Sequence, residues 1–166
     1  GRLFPQGHFS RLLFSLPGNE NVECDGSGNT GELSTWINDW TDPANVSDDC
    51  STVTVAFSLM TFTPGACPGN STATYEFKAT DICGNASTRA ASFIIQDMTI
   101  PSINCPAGAT VNCSDDFSPG TLGFPSGNDN CSNLDSPTFA DAIVLAPPAD
   151  CPLLETVTRT WTITDE

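Results

Sequence analysis

ATYEFKATDICGNASTRAASFIIQD (residues 73–97) alternates apolar and polar side chains, turns at a Cys-Gly-Asn corner and alternates again. Tyr75, Phe77 and Ala79 fall on one face against Glu76, Lys78 and Thr80; Ala91, Phe93 and Ile95 share a face in the second run. A period of two over this length reads as two β-strands, each with one buried face. Upstream, VTVAFSLMTF (53–62) keeps the same period through Val53, Val55, Phe57 and Leu59, then shifts to Phe62, which a bulge near Met60 would explain. Short alternating runs separated by many Gly, Pro, Asn and Ser make the chain all-β. The exception is TGELSTWINDWTD (30–42), where Leu33, Trp36, Ile37 and Trp40 recur at helical spacing, Thr30 is placed to cap and Asp42-Pro43 to stop. Its tryptophans either pack on a sheet or lie open as a flat platform for a sugar ring.

Sliding the chain along itself shows two copies of one unit. LPGNENVECDG (16–26) aligns on CPAGATVNCSD (105–115), DDCS (48–51) on DNCS (129–132), and ACPGNSTATYEFKATD (66–81) on DCPLLETVTRTWTITD (150–165). This divides the chain into an arm (1–15), unit 1 (16–97), a linker (98–102) and unit 2 (103–166). In the second copy Val157, Trp161 and Ile163 face one way and Thr156, Thr158, Thr160 and Thr162 the other. Arg159 takes the inward position that Tyr75 holds in unit 1, so it is either partly exposed or paired. The copy stops where the Cys-Gly-Asn corner should follow, as though its last strand were missing.

With 20 Asp+Glu against 5 Lys+Arg, the formal net charge is −15. Phosphate-backbone binding depends on cationic side chains displacing counterions, so nucleic acid is not an expected partner. Excess carboxylate suits a solvated surface or a hard divalent cation such as calcium. Asp25, Asp81 and Asn85, in loops rich in Gly and Asn, and Asp97, at the joint between units, are the candidate calcium ligands; the alternative is that they only shape turns. The chain has eight Cys but one His (His8) and one Lys (Lys78), and no paired CxxC spacing, which favours disulfides in an oxidising compartment over zinc. No stretch approaches the roughly 20 apolar residues of a membrane span, and no signal peptide is visible. Nor is there a nucleophile-and-base pattern, an HExxH or a P-loop, so the chain is not expected to be an enzyme. Sequons at Asn45, Asn70, Asn85, Asn112 and Asn130 permit glycosylation without requiring it.

The pieces VECDGSGNTGELSTWIND (22–39), SDDC (47–50), ATDICGNASTRAASFIIQD (79–97) and CPAGATVNC (105–113) resemble hyalin-repeat-like (HYR-like) modules. These are immunoglobulin-like β-sandwiches strung in tandem in very large secreted and surface proteins of Bacteroidetes type. The resemblance spans nearly everything after Leu16 and implies two tandem immunoglobulin-like sandwich units, an extracellular or cell-surface location, and a structural or adhesive role in a fibre or filament. Partners would be further repeats, copies of the same chain or surface glycans. A carbohydrate-binding module built on Trp36 or Trp40 is the alternative function.

On the strand order this family implies, Cys24 would pair with Cys67, Cys50 with Cys83 and Cys113 with Cys151. Cys105 and Cys131 would then find partners outside the chain or bond to each other. Residues 1–15 depart from the family pattern. They are apolar at Phe9, Leu12, Leu13 and Phe14, and would either donate a strand to a neighbouring copy, head to tail, or pack on their own unit.

Overall fold

The computed structural model describes residues 13–14, 18–48, 51–67, 69–112, 114–145 and 155–165. Of the described residues 47% are strand and 14% helix, in several sheets, so the fold is mostly β. It divides into two units, Gly1–Met98 and Thr99–Glu166.

Unit 1 contains β1 (Leu13–Phe14), β2 (Glu20–Glu23), α1 (Thr30–Thr41), β3 (Val46–Ser47), β4 (Val53–Pro64), β5 (Ser71–Asp81) and β6 (Ala86–Gln96). Four strands form a sheet in the order β2-β6-β5-β4, and β1 pairs separately with β3. The two alternating runs of residues 73–97 are β5 and β6, paired antiparallel so that Ala73 meets Phe93 and Tyr75 meets Ala91. The register shifts between Leu59 and Thr61, leaving Met60 as the extra residue that the sequence implies. In contrast, β2 runs parallel to β6, from Glu20 opposite Phe93 to Glu23 opposite Gln96. A parallel neighbour cannot be joined by a tight turn, which is why the chain travels through α1 and two long strands before β6 returns beside β2.

The core of unit 1 lies on one face of this sheet, where Ala73, Phe77, Ala79, Ala91, Phe93 and Ile95 are buried. The cover over that face is α1, whose Trp36 and Trp40 are 3% and 2% exposed. Trp40 stacks on Phe77 at 4.5 Å between ring centroids, 12° from parallel, and Trp36 lies 5.6 Å from both Phe77 and Phe93. The Trp36 indole N–H donates to Gly18 O at 3.1 Å, satisfying the polar end of a buried ring. The helical spacing is therefore that of a core helix. Its start differs from expectation. Asn29, not Thr30, is the N-cap, held left-handed at φ 51° without a side-chain cap bond. The Asn29 amide instead donates to Glu23 O and accepts from Asp25 N–H, tying the helix to the end of β2. At the other end Asp42 accepts from Ala44 N–H and starts a 3₁₀ turn over Pro43–Asn45.

Unit 2 contains β7 (Ser102–Asn104), the single turn α2 (Pro119–Leu122), β8 (Ser126–Asn128), β9 (Thr138–Leu145) and β10 (Glu155–Thr162). β7 pairs with β8 and β9 with β10, both antiparallel. The β9–β10 ribbon repeats β4–β5: Phe139 opposite Trp161 takes the place of Phe57 opposite Phe77, and Asp141 opposite Arg159 that of Leu59 opposite Tyr75. Arg159 is thus the paired alternative. Its guanidinium donates from Nε and Nη2 to the two Asp141 carboxylate oxygens, both at 2.8 Å, and from Nη1 to Phe117 O, while lying 4.5 Å over the Phe139 ring. Among the described residues of unit 2 only Pro125 is buried. Phe139, Ile143 and Leu145 remain about half exposed or more, at 47%, 56% and 72%.

Candidate assembly surface

An apolar groove crosses the inward face of the sheet from β4 through β5 to β6, a cavity of about 370 Å³ lined by Leu33, Leu59, Phe62, Tyr75, Phe93 and Ile95 among others. The α1 tryptophans cover Phe77 and Phe93, and the second half of β4 has no such cover. Val53 and Val55 are half-buried, but every side chain from Ala56 to Pro64 is exposed. Phe57, Leu59 and Phe62, which continue the inward face, are 50%, 53% and 61% exposed. As the terminal strand in the sheet order, β4 also has a second backbone edge that no described strand pairs. Sequence reading identified this strand and missed that its outer half is uncovered; alternation marks a face without saying what lies over it.

Of the candidate calcium ligands, Asp25, Asp81 and Asn85 serve their own turns. In the loop after β2, Asp25 Oδ1 accepts from Ser27 N–H and Asn29 N–H at 2.7 and 2.9 Å. In the β5–β6 corner, Asp81 Oδ1 accepts from Cys83 N–H and Asn85 N–H, and Oδ2 accepts from the Asn85 side-chain amide, all within 2.9 Å. Gly84, at φ 88°, makes the left-handed step that brings these donors inward. N–H donors thus occupy Asp25 Oδ1 and both oxygens of Asp81, positions that a hard cation would need as oxygen ligands. Among the described residues neither Asp25 nor Asp81 joins a group of three ligating side chains. The turn-forming alternative is what the structure contains at these positions. Asp97 follows β6, donating its N–H to Asn70 Oδ1, and its carboxylate lies within 4.8 Å of that of Glu23.

These hydrogen bonds hold both carboxyls below the usual range: at Asp81 chiefly the Asn85 amide, opposed by desolvation and by Asp48, and at Asp25 chiefly the Asn29 N–H. A depressed folded pKa gives stability that is present above the unfolded value of about 3.9 and is lost as pH falls through the folded value. Urea melts of unit 1 are expected to be flat in pH above about 5 and to weaken below about 4. Asp81→Asn should lower stability at pH 7 and flatten that acid limb. An unchanged acid limb in the variant would remove Asp81 from this role.

The cysteine pairing differs from the expected one. Cys24 is buried and disulfide-bonded, and Cys131 is also disulfide-bonded, whereas Cys67, Cys83 and Cys105 carry free thiols. The Cys24–Cys67 and Cys50–Cys83 bridges are therefore not formed, nor is Cys105 bonded to Cys131. The reason for the first is strand order. With β6 between β2 and β5, no strand pairing brings the end of β2 against the β4–β5 turn that carries Cys67. Cys83 sits in the solvent-facing corner that Asp81 closes. Cys50, Cys113 and Cys151 lie outside the described residues.

Trp36 and Trp40 offer no sugar platform, since both are in the core. Of the donor-strand candidates, Phe9 and Leu12 lie outside the described residues. Leu13 and Phe14 form β1 and pair with Ser47 and Val46 of their own chain. Among the sequons, the side-chain amides of Asn45, Asn85 and Asn112 donate to Asp39 O, Asp81 and Asp115 respectively; Asn70 is half-buried and Asn130 exposed.

Comparison with protein-family models, with curated proteins and with solved structures finds no match.

Proposed function

We propose that the chain is a load-bearing structural or adhesive segment of an extracellular fibre or cell-surface adhesin, built of tandem immunoglobulin-like units whose partners are further repeats or copies of itself. The observation that carries this reading is the parallel pairing of β2 with β6. The chain enters β2 at Glu20 and leaves β6 at Gln96, at opposite ends of the pair. Tension on the two ends of unit 1 therefore slides the strands past each other, and all the hydrogen bonds of the pair resist together instead of opening one at a time. Further support for an oxidising, extracellular setting comes from the disulfide-bonded state of Cys24 and Cys131. The carbohydrate-binding reading has lost the platform that motivated it.

Force spectroscopy on the chain held by its ends, with its disulfides reduced so that the backbone alone carries the load past Cys24, tests the proposal. Unit 1 is expected to yield in one discrete high-force event, and Val22→Pro, which removes an N–H from the ladder opposite Ile95, should lower that force several-fold. Gradual extension at low force in the parent chain would end the load-bearing reading.

A further inference from the structure

Beyond end-to-end load, we propose that the outer edge of β4 is a lateral docking site for the same edge of a second copy. The two strands would run antiparallel about a two-fold axis normal to the sheet. Proteins keep sheet edges from pairing with charge, proline, short strands or strong bulges. Here the edge is twelve residues long, its one proline is at the very end, and its one irregularity is Met60.

Charge selects the occupant. From residue 50 to residue 75 the sequence holds no Asp, Glu, Lys, Arg or His, in a chain of net charge −15. Two copies approaching by most other surfaces bring carboxylates together, whereas approach by β4 brings none. A partner selected by opposite charge would need acidic or basic side chains on this edge, and it has neither.

A two-fold axis normal to the sheet keeps each face on its own side, so the half-exposed Phe57, Leu59 and Phe62 of both copies continue one apolar surface. With Met60 these side chains offer about 400 Å² per copy, taking half of typical side-chain areas. With the backbone of both strands the contact reaches about 1,000 Å², the lower range of a specific interface. The pairing is isologous and closes on itself, so it joins chains two by two side to side.

The test is sedimentation of the full chain over a wide concentration range, with the Cys67, Cys83 and Cys105 thiols alkylated so that no new disulfide links the copies. The parent chain is expected to form a reversible dimer. Leu59→Lys, which puts a charge on the shared apolar face, should weaken it at least about tenfold. Ser58→Lys, which leaves that face intact, should also weaken it; emission from the buried Trp36 and Trp40 checks that each variant is folded. A monomer at all concentrations, a dimer indifferent to both substitutions, or a dimer lost only on deletion of residues 1–12 would overturn the proposal. Loss of the β2–β6 force event with the dimer intact would overturn the load-bearing reading alone.

Discussion

Trp40→Ala is expected to lower the stability of unit 1 by about 3–5 kcal/mol, the range for removing a large aromatic from a core that cannot collapse around the gap. The indole is 2% exposed and its ring lies flat against Phe77, itself fully buried at the centre of the sheet. Trp36 meets Trp40 edge-on at 6.3 Å and is fixed at its far end by Gly18, so it cannot swing across to fill the space. A unit of this size has only about 5–15 kcal/mol to lose. Urea unfolding followed by tryptophan emission and by far-ultraviolet circular dichroism measures the change. A loss below about 1 kcal/mol would mean that α1 is not the cover of the sheet.

In unit 2 the position most sensitive to added bulk is Gly127. A Cβ there would stand 2.6 Å from Ile163 Cδ1, 2.8 Å from Leu134 Cδ1 and 2.9 Å from Ser102 O. The two methyl groups can turn aside. The carbonyl cannot, because it belongs to β7, the strand that pairs with Gly127 through Ile103. Gly127→Val is expected to cost about 2–3 kcal/mol through overpacking and to separate β8 from β7. With Pro125 the one buried residue among those described in unit 2, that is a large share of its stability. Hydrogen exchange at Ile103 and its neighbours reads the effect directly, and protection equal to the parent's would contradict the close approach.

Much of the fold was legible in the sequence because periodicity reports what each strand does to its own side chains. The runs around Phe77 and Phe93, the extra residue at Met60 and the helix carrying Trp36 and Trp40 could all be read that way. The internal repeat also placed Arg159 where Tyr75 stands in unit 1. Its partner Asp141 was missed because β9 was not aligned with β4, although Asp141 occupies the place of Leu59. What periodicity does not report is order across the sheet. A disulfide between Cys24 and Cys67 was reasonable only if β2 lay next to β5, and β6 lies between them. The uncovered half of β4 escaped notice for a related reason, since its apolar residues look the same whether or not a helix reaches them. At Asp25 and Asp81, residue type suited both a cation and a turn, and only the N–H groups around each carboxylate distinguish the two.

The parallel β2–β6 pair also sets a timetable. β5 and β6 are joined by a four-residue corner and meet as soon as both exist, a local closure with little chain entropy to overcome. β2 has to wait for residues that come roughly seventy positions later, as the bond from Ser92 N–H to Asn19 Oδ1 spans 73 positions. A chain emerging from its N-terminus therefore carries β2 exposed until Gln96 is available, then draws it in as the last piece. The contact best placed to resist tension is one the unit cannot make until its own synthesis has passed the end of β6.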